Sequence, residues 1–150
     1  MRRCWLLVIT KEARVWMPPE VYLESALALR EVRRWISVLS RTRSSATAAL
    51  EGPIRLPRNA ALHLAEMEFP ESWRASPLWV CLGWSSAPDA TLQTIIMSFD
   101  SNEAEAWVKQ HSEADADPGA DPELRFESSW ERAGVVHHAA AHRLKRIIGF

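Results

Sequence analysis

Glycine is scarce in this chain: it accounts for five of 150 residues, and the five are widely separated. A glycine-rich loop lets the backbone approach a phosphate closely. With its glycines so far apart, the sequence lacks a nucleotide-binding loop of this kind. The sequence also lacks the G-x-S-x-G, P-loop, G-x-G-x-x-G and C-x-x-C patterns of nucleophilic, nucleotide-dependent and redox sites. These absences favour a non-enzymatic role, and we expect no cofactor.

Cysteine is equally scarce, and long hydrophobic runs are missing. The two cysteines, Cys4 and Cys81, each lie in a short apolar segment typical of a buried strand, where a free thiol behaves as a small hydrophobe. The apolar run near the N-terminus is shorter than the core of a secretory signal peptide. No segment approaches the ~20 apolar residues of a membrane span. The sequence therefore predicts a cytoplasmic protein with no membrane partner.

The composition is that of an ordinary globular domain, with 47% hydrophobic and 25% charged residues. A chain of this length buries enough surface to fold as one domain over residues 1–150 without a metal or disulfide. Charge is unevenly distributed: residues 1–75 carry twelve basic and eight acidic side chains, whereas residues 76–150 carry six and eleven. The eight tryptophans supply unusually large apolar area for a small domain.

The hydrophobic periodicity predicts an α+β fold, with a mostly antiparallel sheet and about three helices. Val32, Trp35, Ile36 and Leu39 recur at helical spacing and define a helix over residues 24–41. Asp100 is the expected N-cap of a second helix that ends near residue 110. Strands are predicted at 4–10, 14–17, 60–69, 78–85, 91–99 and 124–131, with an antiparallel hairpin between 78–85 and 91–99.

The C-terminal segment 133–148 is interpreted as a closing helix, because Val136, Ala140 and Leu144 recur at i, i+4 and i+8. Residues 42–59 lack a sustained period and are interpreted as a long loop. The order of elements also indicates two ββαβ-like halves, residues 1–70 and 77–131. Aligning Trp35 with Trp107 supports this pseudo-repeat.

Arginines are concentrated on one side of the first predicted helix and in the loop after it. Arginine forms bidentate contacts with carboxylates and phosphates, so a convergent set is suited to bind an acidic surface. The connector between the predicted strands 60–69 and 78–85 carries a tryptophan and an arginine, the residue types most common at the energetic centres of interfaces. The predicted partner-binding residues are Arg30, Arg33, Arg34, Arg41, Arg43, Arg55, Arg58, Trp73 and Arg74.

Two histidines near the C-terminus provide a weaker candidate. If residues 133–148 form a helix, His138 and His142 at i and i+4 share a face, which is a spacing used by zinc sites. The same helix places them opposite its apolar stripe, so the simpler interpretation is a solvated polar face, and no metal is expected.

The sequence thus favours a small non-enzymatic protein–protein interaction module of the inhibitor, immunity, antitoxin or regulatory-subunit type. Its expected partner is another protein with an acidic surface. A nucleic-acid-binding accessory factor that uses the same arginines is the first alternative. A small metal-dependent enzyme that uses His138 and His142 is the second. Exposed sheet edges and surface aromatics are compatible with a homodimer.

Overall fold

The computed structural model of the protein describes residues 2–11, 14–15, 19–40, 46–58, 60–69, 78–85, 94–98, 100–112, 119–121, 125–144 and 147–149. The fold is α+β, as predicted, and its strands form two sheets in which antiparallel pairs dominate. The chain divides into two compact units, Met1–Glu71 with Lys145–Phe150 and Ser72–Leu144. None of the described helices is long and apolar enough to cross a membrane.

Among its described residues, the first unit contains one α-helix, one 3-10 helix and a six-stranded sheet. Its strands follow the order β11-β3-β1-β5-β4, and β2 pairs with β1 beside this path. The elements are β1 (Arg2–Lys11), β2 (Arg14–Val15), β3 (Glu20–Tyr22), α1 (Ser25–Ser40), the 3-10 helix (Ala46–Leu50), β4 (Ile54–Leu56), β5 (Ala60–Phe69) and β11 (Ile147–Ile148).

The described part of the second unit has one α-helix and a five-stranded antiparallel sheet. Its strands follow the order β7-β6-β10-β9-β8. The elements are β6 (Trp79–Ser85), β7 (Thr94–Ser98), α2 (Ser101–His111), β8 (Gly119–Asp121), β9 (Arg125–Arg132) and β10 (Val135–Arg143).

Alternation along the central strands of the first unit decides which side chains meet α1. Leu7 on β1 lies opposite Leu64 on β5, and both pack into the core that α1 covers. On α1, Val32 and Ile36 belong to the predicted apolar stripe, and both are buried in that core. The predicted helix over residues 24–41 is therefore confirmed in its position and in its buried face.

In the second unit, α2 packs on β6, β9 and β10. Its buried residues Ala104, Trp107 and Val108 share a core with side chains of those strands, among them Cys81. The helix begins where the sequence predicted, because the Asp100 carboxylate accepts a hydrogen bond from the Asn102 backbone N–H at 2.8 Å. The predicted antiparallel hairpin is confirmed in the pairing of β6 with β7, although its connecting residues 86–93 lie outside the described part.

The predicted helix over residues 133–148 is wrong. Val135–Arg143 forms β10, the central strand of the second sheet, which pairs with β6 on one side and β9 on the other. Positions four residues apart share a face in a strand as well as in a helix, so the spacing of Val136, Ala140 and Leu144 could not separate the two. The described residues accordingly contain two α-helices rather than about three.

The loop expected over residues 42–59 also contains regular structure. Ala46 and Ala49 of the 3-10 helix are buried in the core beneath α1. Ile54–Leu56 forms β4, which pairs with β5 at the edge of the sheet. Such short elements carry too few residues for a periodic pattern, so only their packing reveals them.

The two units share an order of elements. Apart from the two-residue strands, each unit runs strand, strand, helix and then a further antiparallel pair, with the extra strand β8 in the second. In each, the last long strand pairs antiparallel with the first, β5 with β1 and β10 with β6. Trp35 of α1 and Trp107 of α2 are both buried under their own helices. The pseudo-repeat of residues 1–70 and 77–131 stays a prediction.

Candidate functional site

The outer face of α1 is the strongest candidate site. Arg30, Arg33 and Arg34 are all exposed there, on the side of the helix opposite the buried stripe of Val32 and Ile36. The positions i, i+3 and i+4 bring their side chains together on one surface. We call this set the α1 arginine face.

Arg34 is held in place by two neighbours. Its Nε donates a hydrogen bond to Glu31 Oε1 at 2.8 Å, and its Nη2 contacts the same oxygen. Its guanidinium carbon lies 4.7 Å from the centroid of the Trp35 ring, which is a cation–π arrangement. The hydrogen bond to Glu31 raises the pKa of Arg34 above its usual value. Arg34 is therefore oriented before any partner binds, and Glu31 offsets part of its charge.

Arg30 and Arg33 differ from Arg34. In the part of the chain that the structure describes, neither has a hydrogen-bond or ion-pair partner. A guanidinium offers five N–H donors in a fixed plane, so two unpaired groups one turn apart present many donors to a carboxylate. The positive charge available on this face thus comes mainly from Arg30 and Arg33.

Arg55 does not join the α1 arginine face. Its neighbours Ile54 and Leu56 point into the core under α1, so the alternation of β4 directs Arg55 to the opposite side of the sheet. Consistent with this placement, Arg55 acts on His63, whose pKa is lowered to about 4 by burial and then by the arginine charge. The convergence expected from the sequence therefore fails for Arg55.

The other predicted partner-binding residues are one described turn residue and four residues that the structure does not describe. Arg58 is exposed in the turn between β4 and β5, with a φ of 62°. Four predicted residues lie outside the described part of the chain: Arg41, Arg43, Trp73 and Arg74. The structure thus brings together three of the nine predicted residues, all of them on α1.

Two large hydrophobic side chains of the first unit are exposed, although the sequence did not predict it. Val38 on α1 is 58% exposed and Leu50 at the end of the 3-10 helix is 49% exposed. Val38 follows Arg34 by four residues, so a helical projection of the sequence places it beside Arg34. Leu50 has no comparable signal, because its five-residue 3-10 helix is too short for a periodic pattern.

The two histidines proposed for zinc lie on a strand and not on a helix. Four residues along a strand span about 13 Å, so His138 and His142 cannot bind one ion together. Both are buried, which also contradicts the expected solvated face. Among the described residues, no group of three histidine, cysteine or acidic side chains could hold a metal ion.

Both histidines lie among the buried side chains of the second unit. His138 stacks on Trp84 with ring centroids 5.0 Å apart, and its Nδ1 lies 2.7 Å from Ser129 Oγ. Burial, and secondarily the charge of Arg125, lower the pKa of His142 to about 4. These contacts are those of core side chains in a sheet.

The two cysteines are free and buried, as predicted. Burial raises the pKa of Cys4 to about 11, and burial together with the negative charge of Glu103 raises that of Cys81 to about 12. A thiol needs its thiolate form to act as a nucleophile, so neither cysteine is suited to that role.

Comparison with known proteins does not add a family to this description. A scan against protein-family models, a search of curated proteins and a search of solved structures each found no match to this chain. The class of protein is therefore defined by its own features: an α+β chain of two helix-covered sheets with an arginine face on its first helix.

Proposed function

We propose that this chain is a protein–protein interaction module, of the inhibitor, immunity, antitoxin or regulatory-subunit type, whose α1 arginine face binds an acidic surface of a partner protein. The observation that supports the proposal most directly is the pair Arg30 and Arg33, which are exposed and have no partner among the described residues. Arg34 adds a guanidinium that Glu31 and Trp35 already orient. An oriented side chain loses less conformational entropy on binding, which favours affinity.

The charges of the α1 arginine face favour a protein partner over a nucleic-acid partner. Affinity for nucleic acid grows with the number of phosphates that basic side chains neutralise. Here Arg55 lies on the other side of its sheet, and Arg34 is partly neutralised by Glu31. Among the described residues of this face, two arginines have no partner, and such a pair suits a local cluster of carboxylates better than an extended phosphate backbone.

The proposal is tested with a charge-reversal variant and a control of equal net charge. Arg30→Glu with Arg33→Glu changes the α1 arginine face, whereas Arg2→Glu with Arg143→Glu changes exposed arginines elsewhere. The probes are a poly-glutamate peptide and a duplex DNA, titrated at low salt. We expect poly-glutamate to bind the wild type. The variant Arg30→Glu/Arg33→Glu should have an at least tenfold lower affinity for this peptide, because each charge-assisted hydrogen bond contributes about 1.5–3 kcal/mol. The control should bind as the wild type does.

Three outcomes would count against the proposal. The first is that poly-glutamate does not bind. The second is that both variants lower the affinity for poly-glutamate equally. The third is that duplex DNA binds more tightly than the peptide, with a steep salt dependence. The last would support the nucleic-acid alternative. In parallel, native mass spectrometry of protein purified from its own host should show a second polypeptide with the wild type and the control, but not with Arg30→Glu/Arg33→Glu.

A further inference from the structure

The guanidinium of Arg34 is engaged along one of its edges. Its Nε donates a hydrogen bond to Glu31 Oε1, and its Nη2 contacts the same oxygen. In a planar guanidinium the N–H of Nε and one N–H of Nη2 point the same way. Glu31 therefore occupies this edge, while the guanidinium carbon lies over the Trp35 ring, 4.7 Å from its centroid.

The outer edge of the same guanidinium is available. It consists of the other N–H of Nη2 and one N–H of Nη1, which point outward in parallel and can bind both oxygens of one carboxylate. Within the described ranges, no acceptor is bonded to this edge. The side chain of Arg34 is 56% exposed and that of Glu31 is 22% exposed, so the arginine is the more accessible of the two.

The contacts of Arg34 also set the direction in which it extends from α1. A helix advances about 100° per residue, so Arg34 lies about 40° around the axis from Arg30. Glu31 and Trp35 lie further round in the same direction. Their contacts therefore draw the Arg34 guanidinium away from Arg30, and it offers a binding position of its own.

Arg34 contributes less net charge than geometry. The hydrogen bond to Glu31 is the main cause that raises its pKa, and the charges of Glu31 and of Glu20 on β3 raise it further. Two carboxylates thus act on one guanidinium and offset its positive charge. What Arg34 adds to the α1 arginine face is a pair of oriented N–H donors.

We propose that Glu31 and Trp35 are positioning residues of the α1 arginine face, and that they hold Arg34 so that its two Nη atoms together bind one carboxylate of the partner. This inference rests on the proposed function of that face. It adds a carboxylate to the partner's acidic surface, beyond those that bind Arg30 and Arg33. Holding the guanidinium in advance reduces the conformational entropy that binding costs.

The first test exchanges Arg34 for lysine at constant charge, with the poly-glutamate peptide as the probe. A lysine ammonium has no parallel pair of N–H groups, so it cannot contact Glu31 along one edge and a carboxylate along another. Arg34→Lys should therefore bind about tenfold more weakly than the wild type, as expected for the loss of one charge-assisted hydrogen bond. Arg2→Lys, at an exposed arginine of β1, is the control and should bind as the wild type does.

The second test separates the position of Arg34 from the charge of Glu31. Glu31→Gln and Glu31→Ala remove the same charge, but only glutamine keeps a side-chain oxygen that accepts a hydrogen bond from Arg34. Glu31→Ala should bind poly-glutamate about threefold more weakly than Glu31→Gln, because its Arg34 loses more conformational freedom on binding. When Arg34→Ala is added to each variant, the two should bind alike.

The outcomes distinguish this inference from the function on which it rests. If Arg34→Lys binds as tightly as the wild type, or if Glu31→Ala and Glu31→Gln bind alike, the positioning of Arg34 is wrong. A loss of affinity in Arg30→Glu/Arg33→Glu would still uphold the proposed function in that case. If poly-glutamate does not bind the wild type, both are overturned. Circular dichroism checks that each variant is folded.

Discussion

His142 on β10 lies directly opposite Arg125 on β9. Burial first, and the arginine charge second, lower the pKa of His142 to about 4. In the first unit, Arg55 on β4 pairs with Ala61 of the neighbouring strand β5, two residues from His63, and burial followed by the charge of Arg55 lowers the pKa of His63 to about 4 as well. Each unit therefore contains, among its described residues, an imidazole that stays neutral in the folded state well below the pKa of an ordinary histidine.

This arrangement predicts that the protein loses stability in mild acid. The folded-state pKa of each histidine is below its value of 6.5 in the unfolded chain, so the unfolded state binds more protons as the pH falls below about 6.5. The loss is complete near pH 4. Between pH 7 and pH 5 each histidine should lower the free energy of unfolding by roughly 2 kcal/mol. Urea unfolding at a series of pH values measures this dependence.

Glutamine variants assign the acid effect to particular residues. His63→Gln and His142→Gln each remove one titrating group, so each should reduce the pH dependence by about half. A pH dependence that persists in the double variant His63→Gln/His142→Gln would show that other groups cause it.

Two valines of α1 provide a matched test of the packing of the first unit. Val32 is fully buried, whereas Val38 is 58% exposed. Val32→Ala should lower the free energy of unfolding by about 2–3 kcal/mol, because it removes buried apolar groups and leaves a cavity. Val38→Ala should be neutral or slightly stabilising, since alanine has the higher helix propensity. Equal effects of the two substitutions in denaturant unfolding would contradict the assignment of the buried face.

The turn between β9 and β10 offers a route to stabilisation. Its two central residues, Ala133 and Gly134, have φ angles of 53° and 79°. A two-residue hairpin of type I′ needs positive φ at both positions, and asparagine adopts this conformation more readily than alanine. Ala133→Asn should therefore raise the free energy of unfolding by about 0.5–1 kcal/mol, whereas Gly134→Ala should lower it by about 1 kcal/mol. A thermal melt in which both variants shift in the same direction would disprove this account.

The start of α2 depends on one side chain. Asp100 accepts the hydrogen bond from the Asn102 N–H, which has no acceptor within the helix. Asp100→Ala should lower the free energy of unfolding by about 1 kcal/mol, and Asp100→Ser should restore most of that loss because serine is also a good N-cap. If Asp100→Ser is as unstable as Asp100→Ala in denaturant unfolding, the carboxylate acts through something other than the cap.

The elements that the sequence predicted well are those with a strong local signal. α1 has four apolar residues at helical spacing, and α2 has its capping aspartate. The strand β5 was predicted with the bounds that the structure has, Ala60–Phe69. In each of these cases the pattern lies within one segment, so no knowledge of its neighbours was needed.

β10 shows where a local pattern is insufficient. Its three consecutive alanines favour a helix by propensity, and its apolar spacing fits a helix as well as a strand. Pairing with β6 and β9 overrides that preference. The one local clue was Ala133-Gly134 before it, which acts as the hairpin turn.

The amino-acid sequence by itself determined the α+β class, the two helices with their buried faces, and the row of arginines on the outer side of α1, because these depend on spacing along one segment. Only the tertiary structure decided which arginines lie together. Strand alternation turned Arg55 away from Arg30 and Arg33, and the contact with Glu31 and Trp35 fixed Arg34. The tertiary structure also buries His142 and leaves Val38 exposed, because burial depends on what packs against a residue and not on its neighbours in the chain.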